Sequence, residues 1–269
     1  MLWTEFSVSH RFLKMEEFFP ESFRLDLKEE RKAFFEICKE GEMWICKPSC
    51  SNRGRGIFLL KNLASVRTLQ AELLDAEEKH LLKPHRASKA RIVQRYIQQP
   101  LLLEGRKFDV RSYLLVASTL PFLLCFAQGY VRLTCAPYHV ASDDLTVHLT
   151  NQSVQKRSSL YEKMKEETVW PMEHFNSYVN EKFRKTNHLP KNWVFTVFTR
   201  RMQQILLQCF LAARHKLQRR LGYFDLFGCD FLIDENFKVW LLEMNANPAL
   251  HTHCHVLRDI IPTIVHESL

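Results

Sequence analysis

Glycine is scarce in this chain, with seven among 269 residues. No run of Gly, Ser or Pro is dense enough for a flexible linker or a low-complexity tract, and no internal repeat is present. The glycine-dependent signatures GxxxxGK[ST], GxGxxG and GxSxG are missing, and so is HExxH. These absences exclude a Walker-type site, a dinucleotide fingerprint, a nucleophile-elbow hydrolase and an HExxH metalloprotease. A disulfide scaffold is equally unsupported: the eight cysteines are scattered and no CxxC occurs. Cys46 and Cys50 are four apart, but no second pair completes a zinc site. Free cysteines suit a reducing compartment, which makes the sequon Asn151-Gln152-Ser153 incidental. No signal peptide is expected, because Trp3, Glu5, His10 and Arg11 interrupt any apolar leader. RNP, KH and zinc-finger signatures are absent, so no nucleic-acid partner is expected. Charge is absent from Ser112 to Val131, a stretch long enough to span a bilayer. Ser118, Thr119 and Pro121 interrupt it, so it reads as two buried strands turning at Thr119-Leu120-Pro121, not as a membrane span.

What is present describes a globular chain. At 46% hydrophobic and 12% aromatic it can bury a sizeable core. Its formal charge of +8 attracts anionic partners through the summed field. Helices are expected over Glu29–Glu40, Leu63–Leu82 and near His174–Arg184. The strongest helical period runs from Trp193 to Leu221, with Phe198, Met202, Ile205, Cys209, Ala213 and Leu217 three or four apart. Strands are expected at Met43–Lys47, Ile57–Leu60, Arg91–Tyr96, Phe108–Ala117 and Phe122–Leu133. A hairpin is expected from Gly228–Ile233 and Phe237–Leu242, turning at Asp234–Asn236. Strands and helices without strict βαβ alternation argue for an α+β fold.

Five places are candidates for chemistry. If the hairpin connection holds an even number of residues, Asp230 and Glu243 share a face, and Asn245 continues it. Two carboxylates and an amide in an apolar setting suit Mg2+, a hard cation that also binds substrate phosphates; the alternative is a surface hairpin with ordinary charges. The loop Ser49–Gly56 places Arg53, Gly54, Arg55 and Gly56 between strands, where backbone N–H groups and arginines can meet phosphate. Lys107, Asp109 and Arg111 alternate along one strand and therefore share a face, either lining a cleft or facing solvent. Arg132, at the end of a core strand, needs an anionic partner: a substrate carboxylate, or a protein acid such as Asp143 or Asp144. His251, His253, Cys254 and His255 form a polar cluster that reads as a loop leading into a helix, with a transition-metal site as the lesser alternative.

Taken together, WICKPSCSNRGRGIFLL, IVQRYIQQPLLLEGRKFDVRSYLL, GYVRLT, HLTN, QK and YFDLFGCDFLIDENFKVWLLEMNANPAL resemble the successive motifs of the tubulin tyrosine ligase-like enzymes, over nearly the whole chain. TVWPMEHFNSYVNEKFRKT and TRRMQQI are most similar to the glycine-adding, chain-elongating branch. The resemblance implies an ATP-grasp fold, with subdomains at about 41–100 and 101–269 after a leading segment 1–40. It implies ATP and Mg2+ as cofactors and carboxylate–amine ligation. Lys47 and Lys107 match lysines on the ATP phosphates, and Gln94, Arg95, Tyr96 and Ile97 match the segment bordering adenine, partly through backbone. Asp109 and Arg111 match a cleft-lining pair, and Arg132 matches an arginine near the acyl-phosphate and incoming amino acid. Asn151 and Lys156 match residues facing phosphates or substrate, and Asp230, Glu243 and Asn245 match the Mg2+ ligands. Relatives usually carry a longer amino-terminal domain and continue past the metal motif, where this chain ends at Leu269. The implied partners are glycine and an acidic acceptor such as tubulin. The implied setting is a monomer in the cytoplasm, on the cytoskeleton of cilium or axoneme. A polyglutamylase of the same fold and a non-catalytic microtubule-binding module are the alternatives.

Overall fold

The computed structural model describes residues 3–6, 11–49, 54–78 and 90–268. In chain order its strands and helices are β1 (Thr4–Glu5), β2 (Ser22–Arg24), α1 (Lys28–Ile37), β3 (Trp44–Pro48), β4 (Phe58–Leu60), α2 (Leu63–Glu78), β5 (Arg91–Arg95), β6 (Leu102–Leu103), β7 (Arg106–Thr119) and β8 (Phe122–Leu133). There follow α3 (Gln152–Gln155), α4 (Tyr161–Met164), β9 (Val169–Pro171), α5 (Met172–Lys182), α6 (Thr199–Ala213), β10 (Asp225–Ile233), β11 (Val239–Asn245) and α7 (His255–His266). The fold is α+β, with every strand pair antiparallel.

The smaller sheet has the order β2-β5-β3-β4. Its strands alternate strictly. Trp44, Cys46 and Val93 pack with Phe34, Val66 and Leu69 from α1 and α2. The intervening residues Ile45, Lys47, Gln94 and Tyr96 face a cleft on the other side. The larger sheet runs β1-β8-β7-β10-β11, with β6 on β7 and β9 on β8. Phe108, Val110 and Leu114 of β7 pack on one face with Phe175 and Val179 of α5 and Met202, Ile205 and Leu206 of α6. On the opposite face, Tyr113 and Leu115 lie under Val256, Leu257 and Ile261 of α7. The start of that face carries Lys107, Asp109 and Arg111 and lines the cleft.

Two irregularities complete this face. Between β7 and β8 the register passes from Arg111↔Tyr130 to Tyr113↔Ala127, so Gln128 and Gly129 together oppose Ser112. The bulge switches which face β8 presents, and it turns Tyr130 and Arg132 toward the cleft. Gly129 makes this possible with φ +73; a Cβ there would sit 1.8 Å from the Arg111 carbonyl oxygen. Between β10 and β11 the register passes from Phe231↔Leu241 to Asp230↔Glu243. The connection itself, residues 234–238 between the paired Ile233 and Val239, holds an odd number of residues. The even spacing that puts Asp230 and Glu243 on one face therefore comes from the bulge and not from the turn. Asp234 organises the turn, its Oδ1 accepting from the backbone N–H of Asn236 and of Lys238.

Several element boundaries differ from the sequence expectation. The long helix of 193–221 divides into a π turn at Val194–Phe198, α6, and a 3-10 turn at Arg214–Lys216. The apolar stripe is buried at Phe198, Met202 and Ile205 and half-buried at Cys209, whereas Ala213 is exposed, and without core to cover it the helix ends there. α1 stops at Ile37, and α2 is described to Glu78, with 79–82 outside the described residues. β11 continues to Asn245, so Glu243 and Asn245 are strand residues. β7 and β8 meet at Leu120-Pro121, as the charge-free stretch suggested. Among the described residues, no helix is long and apolar enough to cross a membrane.

Candidate functional site

The cleft between the two sheets has a volume of about 1740 Å³. Its floor is a row of charges that strand pairing brings together. Arg132 of β8 pairs in register with Asp109 of β7, and Tyr130, Arg111, Asp230 and Glu243 form the next row across four strands. Arg132 holds Asp109 with two hydrogen bonds, Nε–Oδ1 at 2.7 Å and Nη2–Oδ2 at 2.6 Å. Arg111 holds Asp230 in the same way, at 2.5 and 3.0 Å. Arg132 Nη2 also reaches Asp230 Oδ2 at 2.9 Å, linking the rows. Thr150 donates its hydroxyl to Asp109 Oδ2 at 2.5 Å. Burial alone would raise the Asp230 carboxyl, but Arg132 and Arg111 reverse this and hold it well below the usual carboxylate range. The same carboxylates keep both buried arginines firmly charged. The acids that satisfy Arg132 are thus Asp109 and Asp230. Asp143 instead pairs with Lys61, and Asp144 caps a short 3-10 turn at Leu145–Val147.

Glu243 takes no cation in an ion pair among the described residues; its Oε1 accepts from Asn245 Nδ2 at 3.1 Å. It is therefore the carboxylate of this face with room for an added cation. The predicted metal set lies on one face as two carboxylates and an amide, a donor set of hard oxygens that fits Mg2+. Asp230 already accepts three hydrogen bonds from arginines, which leaves about one of the roughly four acceptor positions of a carboxylate. No cluster of three His, Cys, Asp or Glu able to hold a metal occurs among the described residues. The soft-metal alternative for His251–His255 is thereby set aside: His255 Nδ1 engages Glu166 at 2.7 Å, and Cys254 is buried ahead of α7.

Two lysines enter from opposite walls. Lys47 Nζ donates to Gln94 Oε1 at 2.9 Å. Lys107 Nζ donates to the Tyr96 hydroxyl at 2.8 Å and lies 4.2 Å from that ring's centroid. Burial pushes Lys107 down to about 7; Asp109 opposes this and Lys47 adds to it. Burial also lowers Lys47, against Glu243 and Asp230. Two ammonium groups held where desolvation disfavours their charge are poised for a polyanion.

Gln94, Tyr96 and Ile97 line the cleft, as do Arg55, Asn151 and Lys156. Arg95 departs from its expected role at the side-chain level. Strand alternation turns its guanidinium away, onto Glu21 and Glu42 and over the Trp44 ring, leaving only its backbone for the cleft. Gly54, with φ +69, brings the β3–β4 loop against α3; a Cβ would meet Val154 Cγ2 at 2.7 Å. Gly56 lies off the cleft, its carbonyl accepting from Arg91 at 3.3 Å. Arg53 falls outside the described residues.

Sequence reasoning missed Thr150, His148 and Gln155. Each sits at or beside the HLTN and QK motifs, and a count of polar residues in that irregular stretch would have marked them. Gln155 supports the segment from within: Oε1 accepts from Cys135 N at 2.7 Å, and Nε2 donates to the carbonyls of Thr146 and Leu149.

Comparison with known proteins gives the family. The tubulin-tyrosine ligase family model matches residues 1–269. A Mus musculus protein, protein polyglycylase TTLL10, is 58% identical over 265 residues, covering 98% of this chain and 38% of its own length. The Homo sapiens inactive polyglycylase TTLL10 is 59% identical over 261 residues, covering 96% and 39%. The Danio rerio tubulin monoglycylase TTLL3 is 29% identical over 271 residues, covering 97% and 33%. The chain spans about two fifths of the length of the first two relatives. Its motifs, its α+β ATP-grasp-like architecture and the family match agree: the chain belongs to the tubulin-tyrosine ligase family.

Proposed function

We propose that this chain is the catalytic core of an ATP-dependent polyglycylase that extends glycine side chains on tubulin or another acidic protein. A carboxylate is a poor electrophile, so on this reading it first takes the γ-phosphoryl group of ATP, releasing ADP; an amine then attacks the acyl-phosphate, losing a proton and expelling phosphate as the amide forms. Mg2+ and ATP, when bound, supply the phosphoryl group and screen its charge. Asp230, Glu243 and Asn245 would hold the metal, Lys47 and Lys107 the phosphates, and the backbone of Gln94–Ile97 the base. Arg132 and Arg111 keep Asp230 ionised, and Arg132 would also lie beside the reacting groups. Asn151, Lys156 and Arg55 stand at the rim to meet phosphate or acceptor. No protein nucleophile is required, because positioning and electrostatic stabilisation carry the rate.

One observation carries the reading: a single cleft collects Lys47, Lys107, Arg132, Asp230, Glu243 and Asn245 on facing walls. The names of the similar glycylases favour glycine as the donor. A second reading, glutamate addition, draws on a Bos taurus probable tubulin polyglutamylase TTLL9 that is 32% identical. A third, a non-catalytic module, draws on the relative named inactive, against which stand the three intact metal positions here. We further place the subdomain boundary near residue 100, and the chain in the cytoplasm, working as a monomer on ciliary or axonemal microtubules. Mass measurement of a tubulin-tail peptide incubated with the chain, Mg-ATP and all twenty amino acids tests the reading. Steps of glycine support it, steps of glutamate replace the donor, and no ATP-dependent step removes the catalytic claim.

A further inference from the structure

We infer that Tyr96 and His148 are positioning residues that aim the Lys107 ammonium into the cleft. The inference rests on the nucleotide-binding reading above and assigns a role to side chains that reading leaves idle. Lys107 Nζ, the Tyr96 hydroxyl, His148 and the Ser142 carbonyl form one continuous chain, with three successive contacts of 2.8 Å. The direction of each bond follows from what the groups can do. A carbonyl only accepts, so His148 carries its proton on Nε2. The bare Nδ1 then accepts from the tyrosine hydroxyl, whose oxygen accepts from the lysine. Burial and the nearby Lys107 and Lys61 lower the His148 pKa, consistent with this neutral imidazole. Tyr96 and Tyr138 flank the ammonium with their rings, 4.2 and 5.7 Å from the centroids.

An ammonium has three N–H groups. Tyr96 engages one and fixes the head, leaving two for phosphate oxygens. The chain also joins the two walls. Tyr96 follows β5 of the smaller sheet, while Lys107 and His148 belong to the larger sheet and its loop. Ser142 accepts in addition from Lys61 Nζ at 2.5 Å, which follows β4. The tyrosine side chain is thus committed to the lysine, and adenine is left with the backbone of this segment.

The test compares MgATP with adenosine, which carries the base but no phosphate. Tyr96→Phe keeps the ring and removes the hydroxyl; His148→Leu removes the acceptor behind it. Calorimetry on the whole chain should show each variant binding MgATP roughly 10-fold or more weakly, the order of one hydrogen bond to a charged group, with adenosine affinity unchanged. The 15N spectrum of His148 should report an Nε2–H tautomer in wild type, and a shifted Nδ1 in Tyr96→Phe. Equal losses for MgATP and adenosine overturn the inference and make Tyr96 a base contact. Unchanged MgATP affinity in both variants overturns it as well. A wild-type chain that binds neither ligand overturns the nucleotide reading itself, and the inference with it.

Discussion

Arg132 and Asp109 face each other across the β8–β7 ladder, and both nitrogens of the arginine fork, Nε and Nη2, bond that carboxylate, with Nη2 also reaching Asp230. The fork is therefore not free to grip an incoming carboxylate. Among the described residues Nη1 takes no protein acceptor, so contact with a substrate would run through that single nitrogen.

Arg132→Lys keeps the charge but cannot hold Asp109 and Asp230 together. Amide formation should fall by roughly 10²-fold, the order expected of a 1 Å misplacement, while MgATP affinity changes only a few-fold. Unfolding in denaturant should show a loss smaller than the about 3–5 kcal/mol of removing one partner of a buried pair. Equal losses of nucleotide affinity and ligation would place Arg132 at the phosphates instead.

Glu243→Gln should fold normally and lose Mg-dependent phosphate release. Its carboxylate makes no ion pair and supports the buried Lys47 ammonium only through its field, a role Asp230 shares, so the melting temperature should fall little. Loss of several kcal/mol of metal-mediated stabilisation corresponds to a rate decrease on the order of 10² or more. Normal turnover in this variant would remove Glu243 from the metal set.

Much of this site was legible because strand alternation is a strong rule. Lys107, Asp109 and Arg111 share a face as their spacing demands, and the turn at Leu120-Pro121 follows from the break in the apolar run. The parity of Glu243 was not legible, because it depends on the bulge that follows Leu241. The facing of Arg132 was equally hidden, since it needs a second bulge at Gly129. Each bulge shifts the alternation by one residue, but the strand segments that follow, residues 130–133 and 243–245, are too short to fix the new phase from sequence. Arg95 shows the converse, a motif residue whose side chain alternation sends it out of the site.

Gly129→Ala should therefore be costly far beyond a surface change. The new Cβ overlaps the Arg111 carbonyl, and φ +73 is unfavourable for alanine. We expect a loss of about 2–4 kcal/mol in urea unfolding, of the size seen for strain at special backbone positions, with ligation impaired through the displaced Arg132. A stability change within about 0.5 kcal/mol would show that the bulge is not required.

Acceptor binding should weaken with salt. The net charge of +8 attracts an acidic tail through exposed cations, and such interactions are screened beyond about 10 Å at 0.1 M ionic strength. Affinity for an acidic tail peptide should drop markedly between low and moderate salt. A flat response would assign recognition to shape and apolar contact.

Nucleotide affinity should depend on pH through Lys107. In the free cleft this ammonium titrates at about 7, lowered chiefly by burial. A bound triphosphate favours its charged form and raises that pKa, so binding takes up a proton. The sign follows: affinity is full below about pH 7 and falls as pH rises above it, by up to roughly tenfold per pH unit until the bound-state pKa is reached. Lys47, also lowered by burial, acts in the same direction, so Lys107→Met should reduce the slope without abolishing it. Calorimetry in two buffers of different ionisation enthalpy, at pH 6 to 9, reads the proton uptake directly. Affinity that rises with pH across this range would mean that Lys107 does not meet the phosphates.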